Sequence, residues 1–247
     1  MSRVRSWIFE NDLGALAYRL LTEQPLWRRQ IAGLVEHFGE HHGRSRTTPL
    51  RILDLGCGPG VSSFVLAEAV PGAVEVTGVD ISAPMIERAR ALQRQRYAHL
   101  PGLSFLCADA LALPFEEASF DVVTGHSFLY IIGERERALR EIARVLAPRG
   151  RLVLMEPARD GSLLSAAQGT LPDLRAGLRE PRSAARFAAS MILWRLFSSL
   201  AGRLTPELVS SLFTAAGLEL VATVPTLRGL GWHCVGRRPA ERAQHAR

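Results

Sequence analysis

The chain has 247 residues, 47% of them hydrophobic and 22% charged, and its formal net charge is +6. This balance is that of a globular protein and excludes a fibrous or intrinsically disordered chain. No stretch reaches about 18 uncharged apolar residues and the N-terminus has no long apolar segment, so we expect neither a transmembrane helix nor a signal peptide.

The basic residues and the cysteines narrow the class of protein further. The 30 basic residues are all arginine. Because they are scattered along the chain, we attribute them to a coding bias rather than to a phosphate-binding surface. The three cysteines, Cys57, Cys107 and Cys234, form no CxxC pair and cannot all pair internally. This usage favours a reducing, cytoplasmic location.

Residues 1–49 are predicted to form a helical leader or lid. Apolar residues recur at helical spacing over residues 8–38, and Pro25 is expected to divide this stretch into two helices. A polar linker follows. His37 and His41 share a helix face near the end of the leader, but no further ligand accompanies them, so we predict no metal site.

Strands and helices alternate after the leader. Strands are predicted at residues 52–55, 74–79, 103–108, 120–124 and 151–155, with helices at 61–70, 84–98 and 134–146. Such alternation indicates an α/β fold with a mostly parallel sheet covered on both faces. Two late strands, at residues 218–224 and 232–235, are joined by a glycine-rich connection. They suggest an antiparallel pair at one edge of the sheet.

Residues 157–203 interrupt this alternation and are interpreted as a helical cap inserted into a domain of residues 50–236. A helix predicted at residues 184–200 is apolar on nearly all sides, which indicates burial or contact with an apolar molecule. Met191 and Trp194 on this helix are candidate substrate-binding residues, although such a stripe is more often core. Arginines close to the helix leave contact with a membrane surface as an alternative. Residues 237–247 form a basic tail.

The stretch "LDLGCGPG" follows the first predicted strand and contains three glycines, Gly56, Gly58 and Gly60. A glycine loop between a strand and a helix binds ligands at the carboxyl edge of an open α/β sheet. The dinucleotide fingerprint would require glycine where Val61 stands. Asp54 in front of the loop disfavours a phosphate and favours a cation.

Two further carboxylates end neighbouring strands. Asp80 follows the second strand, where a carboxylate accepts hydrogen bonds from ribose hydroxyls. Asp109 follows the third strand, and an ionised carboxylate can accept from the exocyclic amine of an adenine. Together with Asp54, they suit a nucleoside that carries positive charge and no phosphate.

Five segments in order resemble the successive motifs of class I S-adenosylmethionine-dependent methyltransferases, and in particular the small-molecule enzymes of ubiquinone and menaquinone biosynthesis. The segments are "LDLGCGPG", "VTGVDIS", "CADALALPF", "FDVVTGHSFLY" and "ALREIARVLAPRGRLVLMEP". The resemblance covers residues 50–157, and the late strands extend it to about residue 236. It implies a Rossmann-like sheet of seven strands, the last antiparallel, with S-adenosylmethionine as cofactor.

The resemblance also assigns roles to residues. It implies that Gly56, Cys57 and Gly58 lie against the methionine part of the cofactor, with Asp54 holding its amino group. Asp80 would bind the ribose, Ile81 would pack on the adenine, and Asp109 with the Ala110 N–H would contact the adenine edge. Gly125 and His126 would lie near the sulfonium, and Tyr18 of the leader would be an aromatic neighbour of the cofactor.

A methyl group on a sulfonium is already activated, so the enzyme mainly aligns the acceptor, excludes water and removes a proton where needed. His126 is the candidate base because a histidine of ordinary pKa suits proton transfer. The alternative is that it only packs or bonds to the backbone. Tyr130 and Glu156 are candidate substrate-binding residues, with a helix cap or salt bridge as the alternative for Glu156. His233 is interpreted as structural.

The sequence therefore predicts an enzyme that transfers a methyl group from S-adenosylmethionine to a small, fairly apolar molecule, in bacterial biosynthesis. The methylated atom and the oligomeric state stay open. One alternative is a lipid or quinone methyltransferase at the membrane surface, and another is a cofactor-binding protein without methyl transfer. A nucleic acid acceptor is disfavoured because "TGHSFLY" stands where base-amine methyltransferases carry an N/D-P-P-Y motif.

Overall fold

The computed structural model describes residues 25–39, 48–159 and 204–240, and within the cap insertion Ile192, Arg195 and Ser198. Tyr18, Met191 and Trp194 lie outside the described residues, as do the first predicted leader helix and most of the cap. The assignments made for them stay predictions. So do the boundaries of the leader, the cap and the tail.

The described chain forms a single seven-stranded sheet in the order β3-β2-β1-β4-β5-β7-β6. The strands are β1 (Leu50–Leu55), β2 (Val74–Asp80), β3 (Leu103–Cys107), β4 (Phe120–His126), β5 (Leu146–Pro157), β6 (Glu219–Thr226) and β7 (Gly231–Arg237). The helices are α1 (Pro25–Gly33), α2 (Val61–Ala69), α3 (Ala83–Arg96), α4 (Arg135–Val145) and α5 (Pro206–Ala215).

The predicted α/β class and Rossmann-like sheet are confirmed. Strands β1 to β5 pair in parallel, whereas β7 runs antiparallel to both β5 and β6. Every residue of the central strand β4 is buried, as expected for a parallel strand covered on both faces. The late pair forms the hairpin that the sequence predicts, with β6 at the sheet edge. Strand β5 is longer than predicted, because it continues through Pro148 and Gly150 rather than starting after them.

Helices cover both faces of the sheet, and the described residues bury three apolar clusters: one under α4 and α5, and two under α1, α2 and α3. One face carries α1, α2 and α3, and the other carries α4 and α5. The leader helix α1 belongs to the core of the first face, followed directly by one 3-10 turn (Leu34–His37). The buried side chains of α1, of the 3-10 turn that follows it and of the residue after that turn are Trp27, Ile31, Leu34 and Phe38. A salt bridge of 2.7 Å between Arg28 and Glu68 joins α1 to α2.

Two polar contacts fix the ends of the central strands. At the amino edge of the sheet, the Arg51 guanidinium donates to both carboxylate oxygens of Asp121, at 3.0 and 3.1 Å, and the Arg51 backbone N–H donates to the same carboxylate. This contact ties β1 to β4. Beyond the carboxyl end of β5, the buried Arg195 of the cap donates to the carbonyl of Ala158 at 2.5 Å. In the part of the chain that the structure describes, no helix is both long and apolar enough to cross a bilayer.

Candidate active site

The glycine loop turns sharply between β1 and α2. Gly58 and Gly60 have φ of 52° and 87°, in the left-handed region that favours glycine. A Cβ at Gly60 would lie 2.9 Å from the Phe105 ring, so the position is also too crowded for a side chain. Cys57, between Gly56 and Gly58, is buried, and its backbone N–H donates to the carbonyl of Val79. The loop therefore folds against the end of β2 with its backbone close to the sheet.

Asp80 joins the glycine loop to the end of β2. Its two carboxylate oxygens accept from the backbone N–H groups of Gly58 and Ser82, both at 2.9 Å. Burial raises the pKa of Asp80, and these N–H donors oppose the rise. The sequence analysis expects Asp80 to face a ribose. The structure places the carboxylate at the expected sheet edge, already held in position by the loop.

Asp54 lies behind the loop and is 1% exposed. The hydroxyls of Ser62 and Ser63, in the first turn of α2, both donate to one of its carboxylate oxygens at 2.6 Å. Burial raises the pKa of Asp54 to about 6, and the nearby charge of Asp80 adds to the rise. Within the described ranges neither carboxylate forms a salt bridge to a basic side chain. The loop thus concentrates negative charge that a bound cation would neutralise.

The residues predicted to contact an adenine gather at the same edge. Asp80 is the register partner of Cys107, which places Asp109 just beyond it. Asp109 is exposed and its carboxylate accepts from the Leu111 N–H at 2.9 Å. Ile81 is 72% exposed, an unusual state for a large apolar side chain directly after a buried strand. Ala110 is buried beside them.

The loop after β3 is held from behind by α4. Glu141 accepts from the Leu113 N–H at 2.9 Å, and Arg144 donates to the carbonyls of Leu113 and Phe115. The two side chains also pair with each other at 2.8 Å. This network fixes the segment that carries Asp109.

His126 ends β4 and is buried beneath the leader. The Trp27 ring packs edge-on against the imidazole, with ring centroids 4.9 Å apart. Burial lowers the pKa of His126 to about 3, while a hydrogen bond with its own backbone opposes the fall. The expectation of an ordinary pKa is therefore not met. In this state the imidazole is neutral at pH 7, and its Nε2 atom has no hydrogen-bond partner.

Glu156 is 0% exposed and organises the turn after β4. The backbone N–H groups of Phe128, Leu129 and Tyr130 all donate to its carboxylate, at 3.1, 2.7 and 3.1 Å. Ser127 starts this turn with φ of 57°, which points successive N–H groups toward one anion. Burial raises the pKa of Glu156 to about 7. Glu156 thus caps the turn that leads into the 3-10 turn Leu129–Ile131, which agrees with the helix cap that the sequence left open, and its contact with substrate stays a prediction.

Two other predicted site residues lie in tightly packed surroundings. A Cβ at Gly125 would lie 3.0 Å from the Cβ of Phe128 and 3.3 Å from the Leu55 carbonyl, so this glycine allows the turn to pack on β4. The Tyr130 side chain is 7% exposed and belongs to the apolar cluster under α4 and α5. Their predicted contacts with cofactor and acceptor stay predictions.

The sequence analysis missed three features of the site. The Ser62 and Ser63 contacts to Asp54 follow from their place in the first turn of the helix after the loop, a signal that was available. The hydrogen bond of 2.9 Å between His37 Nε2 and His233 Nδ1 joins the leader to β7, residues far apart in the chain. Trp27 over His126 is equally non-local. In the described ranges, no three His, Cys, Asp or Glu side chains form a potential metal site.

Comparison with known proteins agrees with this geometry. Residues 53–154 match a family model described as a methyltransferase domain. The matched segment is somewhat less than half of the chain and contains the glycine loop and the strands β2 to β4, so this part of the chain is similar to a methyltransferase domain.

Particular relatives carry the comparison further. A demethylmenaquinone methyltransferase of Thermus thermophilus is 43% identical over 132 residues, which is 53% of this chain and 53% of that protein. A 27-O-demethylrifamycin SV methyltransferase of Amycolatopsis mediterranei is 42% identical over 105 residues, 42% of this chain and 37% of that protein. The chain thus spans about half or less of the length of these relatives.

A solved structure shows the same fold over nearly the whole chain. The magnesium protoporphyrin IX methyltransferase of Synechocystis, with bound SAH, superposes with a TM-score of 0.64 at 18% identity. The match covers 96% of this chain and 100% of that one.

The residues present fit S-adenosylmethionine. The cofactor carries positive charge at its amino group and its sulfur, and the loop holds Asp54 and Asp80 with no basic partner among the described residues. The exposed face of Ile81 offers an apolar surface beside Asp80, as an adenine requires. Gly56 and Gly58 leave the loop free of side chains where the methionine end would lie.

Proposed function

We propose that this protein transfers a methyl group from S-adenosylmethionine to a small, fairly apolar molecule in the cytoplasm. The observation that carries the proposal is the pair of carboxylates at the glycine loop, Asp54 and Asp80, which are held by hydroxyl and N–H donors and have no basic partner among the described residues. Such a site favours a cationic nucleoside over a nucleotide, because a phosphate would be repelled.

Each residue of the loop has a role in this proposal. Gly56, Cys57 and Gly58 would present their backbone to the methionine end of the cofactor, and Asp54 would hold its amino group. Asp80 would accept from the ribose hydroxyls. Around the adenine we place Ile81, Asp109 and Ala110. When bound, the cofactor supplies a methyl group on a positively charged sulfur.

The opposite side of the site is suited to an apolar acceptor. Around His126 the described neighbours include Trp27 and Met155, and no carboxylate or guanidinium hydrogen-bonds to its ring. A neutral His126 with a free Nε2 lone pair can accept the proton of a hydroxyl or of an acidic carbon. The low pKa of His126 makes it a weak base, so we expect it to act by alignment as much as by proton removal.

The relatives support an acceptor of the quinone or polyketide type. One is named for demethylmenaquinone and another for a rifamycin hydroxyl. A fairly apolar acceptor agrees with the apolar surroundings of His126.

The first experiment measures SAH binding by calorimetry to the wild type and to Asp80→Ala. We expect the variant to bind at least about 100-fold more weakly, since it loses charged acceptors for two ribose hydroxyls. Glu136→Ala is the matched control, because Glu136 is an exposed carboxylate on α4 paired only with Arg140. Equal affinity of all three proteins would contradict the cofactor site.

The second experiment tests transfer itself. Pure protein is incubated with the cofactor and with demethylated quinones and polyketides, and mass spectrometry records a product heavier by one methylene unit. SAH binding without any such product would favour a cofactor-binding protein of this fold that does not methylate. Sedimentation with anionic liposomes separates a cytoplasmic enzyme from the membrane-surface alternative.

A further inference from the structure

Three buried polar side-chain atoms in the described residues lack a hydrogen-bond partner: Thr124 Oγ1, His126 Nε2 and His233 Nε2. Buried polar groups are almost always paired, so unpaired ones indicate a missing ligand or water. Two of these atoms belong to β4 and the third to β7, the strands on either side of β5.

All three lie on the same face of the sheet, under the leader. Met155 of β5 is the register partner of His126 on one side and of His233 on the other. Register partners point to the same face, and so does Thr124, two residues before His126. The strand β7 runs antiparallel, which brings His233 to the carboxyl edge of β5. The two imidazoles therefore flank Met155 at the edge where the acceptor must lie in the proposed function.

The protonation pattern of His126 follows from its contacts. The hydrogen bond with its own backbone raises the pKa of the imidazole, which means that the ring donates there. In the neutral ring the other nitrogen, Nε2, then carries only a lone pair. His126 Nε2 requires a partner that donates a hydrogen bond.

His233 can offer the complementary group, an N–H donor at Nε2. Its Nδ1 lies 2.9 Å from His37 Nε2, and one of the two must donate. When His37 donates, the neutral His233 ring carries its hydrogen on Nε2 and requires a partner that accepts. One imidazole thus offers an acceptor and the other a donor on either side of Met155.

We propose that His126 Nε2 and His233 Nε2 together bind one hydroxyl group of the methyl acceptor, of the phenol or enol type. A hydroxyl donates through its hydrogen to His126 and accepts from His233, and it keeps a second lone pair. An ether or carbonyl oxygen only accepts and would leave His126 Nε2 unpaired. His233 is thereby a second residue of the acceptor site, and its identity selects hydroxyl acceptors.

This inference rests on the proposed function and names its substrate class. Both nitrogen atoms are buried. The proposal requires the tautomer in which the half-buried His37 donates to His233 Nδ1.

The test uses phenol as the probe and anisole as its matched ligand without the O–H. Imidazole nitrogen shifts are recorded by long-range 15N–1H NMR on the full chain. We expect phenol at millimolar concentration to shift the Nε2 signals of both His126 and His233, and anisole to shift neither. A shift of only one histidine, or equal shifts with both probes, would overturn the proposal; so would unchanged signals at saturation, which would indicate a bridging water.

Two variants test whether His233 hydrogen-bonds to the hydroxyl or only packs beside it. His233→Phe keeps ring size and removes the donor, so we expect phenol to bind about tenfold more weakly and anisole unchanged. His233→Gln retains an N–H and should restore most of the difference. If His233→Phe weakens both probes equally, His233 only packs. SAH affinity is measured in parallel. If the wild type does not bind SAH, the proposed function is contradicted. If it binds SAH but phenol does not shift the histidine signals, only this inference is contradicted.

Discussion

The two halves of the site are built in opposite ways. The cofactor half, at the ends of β1 to β3, uses carboxylates fixed by backbone N–H groups and by nearby hydroxyls. Its residues follow one another within short segments. The half proposed to hold the acceptor, at the ends of β4, β5 and β7, has neutral imidazoles on the face covered by Trp27 and the buried Glu156 carboxylate on the other face. Its residues come from positions as distant as Trp27 and His233. In the proposed function, charge recognises the cofactor, while apolar packing and unpaired nitrogens shape the acceptor side.

The substitution Trp27→Ala is expected to have the largest effect, and this effect falls on stability and not on SAH binding. Trp27→Ala removes a buried aromatic ring from the leader and from His126, so we expect a loss of about 3–5 kcal/mol in the free energy of unfolding. SAH affinity of the folded variant should stay within about twofold of the wild type, because Trp27 has no described contact with the glycine loop. Urea denaturation and calorimetry measure the two quantities.

Tyr97→Leu is a control for the loss of another aromatic ring: Tyr97 follows α3 and stacks on Phe64 with ring centroids 4.0 Å apart, and its hydroxyl accepts from Arg28 of the leader. If Trp27→Ala weakened SAH binding as much as it weakened folding, the two halves would not be independent.

The substitution Glu156→Gln tests the turn that follows His126, on the other face of the sheet. Glu156→Gln keeps the shape but brings an amide NH2 against N–H donors, so we expect a loss of about 2–3 kcal/mol at pH 8. Chemical denaturation measures it, with Glu136→Gln expected to change stability by less than about 0.5 kcal/mol. Methyl transfer should fall more than SAH affinity, because the turn that follows His126 loosens. An unchanged stability would contradict the role of Glu156 as the cap of this turn.

The pH dependence of stability is the smallest expected effect, and it has opposite signs for the buried histidines and for the buried carboxyls. Burial lowers the pKa of His126 to about 3 and of His233 to about 4, from an ordinary value near 6.5. Their contribution is present above pH 6.5 and is lost as the pH falls below it, because the folded state resists protonation. The raised pKa of Asp54 and Glu156 acts in reverse: the cost of burying these carboxyls grows as the pH rises from about 4 to the folded-state values of about 6 and about 7, and it is complete above them.

Comparing the wild type with His126→Phe isolates the imidazole contribution. Between pH 7 and pH 5.5 we expect the stability of the wild type relative to the variant to fall by on the order of 1 kcal/mol. Denaturant unfolding at several pH values measures this difference, in which the common carboxylates cancel. A difference that is constant with pH would mean that His126 is not protonated differently in the two states.

The sequence predicts correctly that the glycine loop, Asp80 and Asp109 lie at one edge of the sheet, because its signals there are local. The glycine loop, Asp80 after one strand and Asp109 after the next lie where the βαβ pattern implies, and the structure brings them to one edge. The contacts of Ser62 and Ser63 with Asp54 were not predicted, although both serines stand in the first turn of the helix after the loop.

The acceptor half was harder to predict because its contacts are non-local. Nothing near Glu156 in the chain shows that three N–H groups from residues 128–130 will converge on it. The approach of His37 to His233, 196 positions apart, depends on how the leader packs across β7. The pKa of His126 depends on burial by that same leader, which residue type alone does not convey.

The ion pair between Arg51 and Asp121, at the amino edge of the sheet, sets the spacing between the two halves. It lies at the far end of the strands from all the chemistry, yet it holds β1 in register with β4, so that Asp54 stands beside Thr124 and Leu55 beside Gly125. A slip of one residue there would displace the glycine loop from His126 by about 3.3 Å and exchange the faces of β1. In the proposed function, the separation between the cofactor and the acceptor therefore depends on a contact at the opposite edge of the sheet.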